Sequence, residues 1–217
     1  MQLFLDGSDI DKIREYCELG LIDGVTTNPS IILKSGKNMI EVISELAGIV
    51  SGSVSAEVSA LDSDTMVQEG IKLAEIAENV TVKLPITWDG LKACKTLSNK
   101  GISVNMTLCF SSSQALLAAK AGAEYVSPFI GRLDDLNLEG IDLISDIKLI
   151  YSNYKFSTKI LAASIRTINH VKQCARFGAD VATIPLDIFE KLVKHPLTDS
   201  GLSQFTADWE KTGQSII

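Results

Sequence analysis

Eight times along this chain a short run of β-type residues gives way to a longer stretch with helical periodicity. That alternation constrains the fold more than any other feature. The strand candidates are Gln2–Leu5, Gly24–Thr27, Val54–Val58, Val80–Leu84, Ser103–Thr107, Tyr125–Phe129, Ile160–Ala163 and Val181–Ile184. Helical stretches follow them, among them Thr65–Ala77, Trp88–Ser98, Ser113–Ala121, Ile141–Tyr151 and Thr167–Phe177. Ser8 and Ser63 stand where helix starts are expected. Gly101, Gly122 and Gly178 fall just past helix ends, where a left-handed backbone suits glycine. Strands that alternate with helices pair in parallel through right-handed crossovers. An open doubly wound sheet would normally carry a glycine fingerprint in its first turn, and no GxGxxG occurs here. Eight units at about 27 residues each come close to the ~250 residues typical of a closed barrel. The expected fold is therefore α/β, a (β/α)8 TIM barrel forming one domain over residues 1–217. An additional C-terminal helix is expected at roughly Leu202–Thr212.

Composition narrows the partners. Hydrophobic residues make up 46% of the chain, ample for a large core. Lys and Arg number 20 against 27 Asp and Glu, a net charge of -7, which disfavours a nucleic-acid partner. No uncharged apolar run approaches the ~20 residues of a membrane span. Asp6, Asp9 and Asp11 interrupt the N-terminus before a signal-peptide core develops, so no membrane association is expected. Cys17, Cys94, Cys109 and Cys174 lie far apart without a CxxC pair, which predicts reduced thiols in the cytoplasm. With only His170 and His195, and no Cys/His cluster, no metal site is expected. Ser35-Gly36-Lys37 lacks the remainder of a Walker pattern, and nothing calls for a nucleotide cofactor.

In a barrel of this type the reacting groups come from the C-terminal ends of the strands. This chain places polar groups there almost without interruption. They are Asp6; Thr26, Thr27 and Asn28; Glu57; Lys83; Asn105 and Thr107; Ser127, Phe129 and Arg132; then Ser164 and Arg166. Lys83 is the strongest signal, a lone cation in the apolar strand Val80-Thr81-Val82-Lys83-Leu84-Pro85. Alternation sets it on one face with Thr81, and Val82 with Leu84 on the other. Inside a barrel, desolvation would depress its pKa from ~10.4 towards neutrality, and a neutral amine condenses with a carbonyl. The plainer alternative is a lysine whose ammonium reaches water along its own stem. Asp6 and Glu57 offer acid/base groups, Glu57 acting through water held by Thr107; as single residues either also suits a structural ion pair or a cap. Arg132, Ser164 and Arg166 together fit a phosphate monoester, helped by the helix start near Thr167.

Four segments carry a family resemblance. Gly24-Val25-Thr26-Thr27-Asn28-Pro29-Ser30, Val82-Lys83-Leu84-Pro85, Asn105-Met106-Thr107-Leu108 and Ser127-Pro128-Phe129-Ile130-Gly131-Arg132 resemble the transaldolase family. The match is to its small subgroup, which also contains fructose-6-phosphate aldolase. The resemblance implies a cofactor-free barrel enzyme with Lys83 as the Schiff-base lysine and Asp6 as the acid/base for the cleaved C–C bond. It gives Glu57 and Thr107 the catalytic water. Asn28, Asn105 and Ser127 would hold the dihydroxyacetone unit, with Thr26 and Phe129 beside it. Arg132, Ser164 and Arg166 would bind the sugar phosphate. The implied reaction moves a three-carbon unit from sedoheptulose 7-phosphate or fructose 6-phosphate to glyceraldehyde 3-phosphate or erythrose 4-phosphate, in the non-oxidative pentose phosphate pathway.

Two positions separate branches of that subgroup. Fructose-6-phosphate aldolases typically carry Gln and Tyr where this chain has Glu57 and Phe129. A phenolic hydroxyl would position a proton donor that releases free dihydroxyacetone, and phenylalanine removes it. The rival functions are that aldolase and a non-catalytic sugar-phosphate sensor. Leu202, Phe205 and Trp209 share a stripe on the terminal helix. The stripe suits closure of the chain's own barrel; by resemblance it suits a neighbouring subunit in a pentamer-based homo-oligomer, commonly a decamer.

Overall fold

The structure is a computed structural model describing residues 1–217. Its elements run β1 (Gln2–Asp6), α1 (Ile10–Glu18), β2 (Gly24–Thr26), α2 (Pro29–Ser35), α3 (Met39–Ile49) and β3 (Val54–Glu57). They continue with α4 (Ser63–Ala74), β4 (Val80–Pro85), α5 (Trp88–Asn99), β5 (Val104–Cys109), α6 (Ser112–Ala121) and β6 (Tyr125–Pro128). After α7 (Ile130–Asp134) and α8 (Gly140–Tyr154) come β7 (Lys159–Ala162), α9 (Ile168–Phe177), β8 (Val181–Pro185), α10 (Leu186–Phe189) and α11 (Pro196–Thr212). The eight strands are parallel and close into a barrel in chain order, β8 pairing back onto β1. The fold is the (β/α)8 TIM barrel with an extra C-terminal helix. No helix is long and apolar enough to cross a membrane.

The two-residue period of the strands sorts the side chains. Residues on one parity, such as Val25, Ala56, Val82, Leu84, Met106 and Ala182, join the large core between barrel and helices. The other parity points inward. At the N-terminal end Phe4, Tyr125, Leu161 and Val181 form a small separate apolar plug. Gly24 has no side chain because Phe4 occupies the space, its ring atoms lying 2.5 Å from where a Cβ would stand. Above the plug the same inward positions carry Asp6, Thr26, Glu57, Lys83, Asn105, Thr107, Ser127 and Thr183. A hydrophobic plug beneath and polar groups above make one end of the barrel a floor and the other a mouth.

The structure corrects several local expectations. Asp9 and Asp62, rather than Ser8 and Ser63, cap α1 and α4, accepting from the backbone N–H of Lys12 at 3.1 Å and of Thr65 at 2.9 Å. Helix α11 begins six residues before Leu202, because His195 caps it and Pro196 suits the first turn. No residue of α11 is buried, so it does not seal its own barrel. Strand β5 extends past Thr107 to Cys109, where its register with β6 shifts and Leu108 takes a positive φ of 59°. Gly122 and Gly178 do end α6 and α9 in the left-handed conformation.

Candidate active site

Lys83 on β4 is buried, 6% exposed, and its ammonium is held inside the barrel rather than carried out to the surface along its stem. Its Nζ donates to the Thr27 carbonyl at 3.0 Å and lies 3.0 Å from Glu57 Oε2 on β3. The backbone register brings that pair together, since Glu57 and Lys83 are direct partners across the two strands. Thr27 is held in turn by its own hydroxyl and N–H on the Ser55 carbonyl, at 2.9 and 3.1 Å. The amine therefore lies between a backbone carbonyl on one side and a carboxylate on the other.

A cavity of about 140 Å³ opens above Lys83 at the C-terminal mouth. Nine of the twelve residues to which the family resemblance gives a role line it: Asp6, Thr26, Asn28, Lys83, Thr107, Ser127, Phe129, Arg132 and Ser164. Its size suits a small polar unit and falls short of the ~300–1,000 Å³ typical of drug-sized ligands. A larger hollow of about 500 Å³ lies at the opposite mouth. There the hydroxyls of Ser53, Thr81 and Ser103 satisfy one another at 2.7 and 3.2 Å. It is remote from the strand ends where barrel chemistry occurs.

Burial pushes the Asp6 carboxyl above its ordinary value of 3.8, and the Glu57 charge adds to that. The Thr26 hydroxyl, donating to Asp6 Oδ1 at 2.8 Å, and the Lys83 ammonium pull the other way. Thr107 lines the cavity, and its buried Oγ1 has no hydrogen-bond partner in the protein. Asn28 lines the cavity and caps α2 through Oδ1, accepting from the Ile31 N–H at 3.0 Å. Ser127 lines the wall and donates to Asn105 Oδ1 at 2.7 Å.

Three expected residues stand elsewhere. Asn105 is fully buried behind the wall, braced between Ser127 and Ser55, to whose Oγ it donates at 3.3 Å. Glu57 touches the site through Lys83 and not through the cavity lining. Arg166 is the clear departure from the expected trio. Its guanidinium makes two hydrogen bonds to Asp135, one at 2.6 Å, and it lies outside the cavity. Gly131 lets Arg166 pack there, since a Cβ would stand 2.6 Å from Arg166 Nε and 2.5 Å from the Ser164 carbonyl. Arg132 alone brings a guanidinium to the cavity rim, 5.1 Å above the Phe129 ring. Thr183, to which the strand-end pattern assigns no role, also lines the cavity. Its signal, a hydroxyl on the inward parity of Val181-Ala182-Thr183-Ile184, is the one that flags Lys83.

A barrel mouth holding a buried amine, two carboxylates and a guanidinium defines a class: (β/α)8 enzymes acting on small anionic carbonyl compounds. The comparisons with known proteins are more specific. The Transaldolase/Fructose-6-phosphate aldolase family matches residues 3–216, and the chain belongs to that family. It is an enzyme of the transaldolase type. It is 65% identical over 217 residues to a "Probable transaldolase" of Roseobacter denitrificans, covering all of both chains. It is 61% identical to the "Probable transaldolase" of Dinoroseobacter shibae and to that of Parvibaculum lavamentivorans, again over the whole of each. Among solved structures it superposes on inosine 5' monophosphate dehydrogenase from Legionella pneumophila with a TM-score of 0.61 at 14% identity. That match covers 87% of this chain and 58% of the other, and it shows the barrel alone.

Proposed function

We propose that this chain is a transaldolase working through a Schiff base on Lys83. The observation that carries the reading is the buried Lys83 amine with the Glu57 carboxylate 3.0 Å away, at the base of a polar cavity. Glu57 accepts the ammonium proton, and the free amine attacks the C2 carbonyl of a ketose phosphate. Loss of water from the carbinolamine forms the imine, with that water held by Thr107. Asp6 takes the proton of the C4 hydroxyl as the C3–C4 bond breaks, and the shortened aldose leaves. The electron pair of that bond remains as an enamine on the three-carbon unit. It then attacks the carbonyl carbon of an acceptor aldose phosphate, and Asp6 returns its proton to the new hydroxyl. Hydrolysis of the imine frees the product ketose and the lysine.

Asn28, Ser127 and Thr26 suit the hydroxyls of the dihydroxyacetone unit; Asn105 contributes by bracing Ser127. Arg132 and Ser164 suit the phosphate, with Arg166 one step behind them. The donors are sedoheptulose 7-phosphate or fructose 6-phosphate, and the acceptors glyceraldehyde 3-phosphate or erythrose 4-phosphate. Such an exchange belongs to the non-oxidative pentose phosphate pathway. Free cysteines, three of the four buried, suit a reducing cytoplasm. The exposed stripe of α11 suits a second copy of the chain in a pentamer-based assembly.

Borohydride added with fructose 6-phosphate tests reaction class and residue together. A three-carbon adduct on the Lys83 peptide is expected. An unmodified Lys83 under conditions where the sugar phosphate binds would leave a sensor as the better reading. Erythrose 4-phosphate formed only when an acceptor is present supports transfer. Free dihydroxyacetone without acceptor supports the aldolase.

A further inference from the structure

Asp6 is held by the two strands that flank its own. Thr26 comes from β2 and Thr183 from β8, and both pair with β1. Thr26 Oγ1 donates to Asp6 Oδ1 at 2.8 Å, and Thr183 Oγ1 lies 2.6 Å from Thr26 Oγ1. A hydroxyl carries one hydrogen. Thr26 has placed its hydrogen on Asp6, so the hydrogen in the contact between the two threonines comes from Thr183. The chain is thus directed, Thr183 to Thr26 to Asp6. Both hydroxyls are buried, Thr26 at 3% and Thr183 at 4%, where linked hydrogen bonds polarise one another. Only Oδ1 of Asp6 is engaged, and the carboxyl shares the cavity with Lys83 and Thr107.

We propose that Thr183 is a positioning residue for Asp6, the last donor of a hydroxyl chain that engages Oδ1 and leaves Oδ2 for the proton exchanged with substrate. The inference rests on the acid/base role given to Asp6 above. With Oδ1 held in a strong hydrogen bond, a proton arriving at the carboxyl goes to the other oxygen. Transfer then starts from one oxygen in one orientation at every turnover. The charged groups facing Asp6 are Lys83 from β4 and Glu57 from β3, with Arg132 of α7 at the rim of the same cavity. None of them touches Thr183 in a hydrogen bond, so Thr183 is separable from them by substitution.

The test compares Thr183→Val, which is isosteric but cannot donate, with Thr183→Ser, which can. The readouts are the pH profile of kcat and the 13C titration of the Asp6 carboxyl. Thr183→Val is expected to move the acid limb and the Asp6 midpoint together to higher pH by about half a unit to one unit. That is about three- to tenfold in rate at a fixed pH on that limb. KM is expected to hold, and Thr183→Ser to return both curves to the parent position. Thr183→Cys, a weaker donor, is expected to fall between them and serves if the valine variant does not fold. An unmoved limb in a folded valine or cysteine variant would overturn the proposal, as would a serine variant that behaves like valine. Asp6→Asn separates the two claims. If it keeps full turnover, the role of Asp6 itself is wrong. If it is inactive while Thr183→Val is silent, only the role of Thr183 is wrong.

Discussion

Glu57 Oε2 and Lys83 Nζ lie 3.0 Å apart on adjacent strands, nearly sealed from solvent at 16% and 7% side-chain exposure. Removing one member of such a pair strands a charge in a poorly solvated place, at a typical cost of about 3–5 kcal/mol. Glu57→Ala is therefore expected to lower unfolding free energy by about 3 kcal/mol in urea titrations. Lys83→Met with Glu57→Gln should be more stable than the sum of the single changes implies. Glu57→Gln preserves the shape without the base. It should slow borohydride trapping at Lys83 by about a hundredfold or more while leaving sugar-phosphate binding in place.

Asp6 gives a prediction with a definite sign. Its folded-state pKa is raised by burial, so the native chain holds that proton more tightly than the unfolded chain. The resulting stability is complete below the unfolded value, ~3.9, and is lost as pH climbs through the higher folded value. Asp6→Asn removes the ionising group. The variant should be inactive yet more stable than the parent at pH 7. That advantage should shrink towards zero below about pH 4. Thermal melts across that range decide it: a variant less stable than the parent at neutral pH contradicts the assignment.

Phe129→Tyr adds a hydroxyl to the cavity wall without removing the ring beneath Arg132. The expected outcome is free dihydroxyacetone from fructose 6-phosphate in the absence of acceptor, at least about tenfold above the parent, as a placed proton donor would allow. Coupled reduction of the released ketone measures it. Unchanged release would separate reaction choice from this position.

Arg132 and Arg166 should not be equivalent. A charged hydrogen bond to phosphate is worth about 2–3 kcal/mol. Arg132→Ala should therefore cost about 30- to 150-fold in kcat/KM for a phosphorylated donor and little for an unphosphorylated ketose. Arg166 already satisfies Asp135, so Arg166→Ala should cost less than Arg132→Ala. Steady-state kinetics on both substrate types test the ranking, and equal losses would mean that Arg166 leaves Asp135 when phosphate arrives.

Phe205 is 73% and Trp209 45% exposed on α11, which leaves aromatic surface in water along a helix with no buried residue. Phe205→Glu with Trp209→Glu should convert a large assembly into smaller species by light scattering. A parent protein that runs as a 23.4 kDa monomer would remove the basis for assembly through this helix.

Much of this site was legible because barrels give sequence position a geometric meaning. A cation or carboxylate on the inward parity of an apolar strand lands in the mouth, as Lys83, Glu57 and Asp6 do. Loop residues carry no such rule. Arg166 sits two residues beyond Ser164, whose positive φ of 59° turns the chain, and its partner Asp135 lies on a different connection. Nothing local announces that ion pair. Asn105 shows a subtler limit, since parity aims a side chain inward without saying whether Ser127 stands in front of it. Thr183 was visible in principle, but a threonine in a strand is ordinary until its neighbours across the sheet are known. The caps erred by one residue because Ser and Asp compete for the same turn, and the carboxylates of Asp9 and Asp62 won both times.

The sorting of side chains by strand parity has a consequence for how such a molecule changes over generations. Adjacent codons in every strand answer to different demands, one to the helical jacket outside and the next to whatever occupies the mouth. Rewriting the inner set leaves the jacket's packing untouched. A lineage can therefore exchange one carbonyl reaction for another through scattered replacements in the inner set while the contacts of the jacket persist.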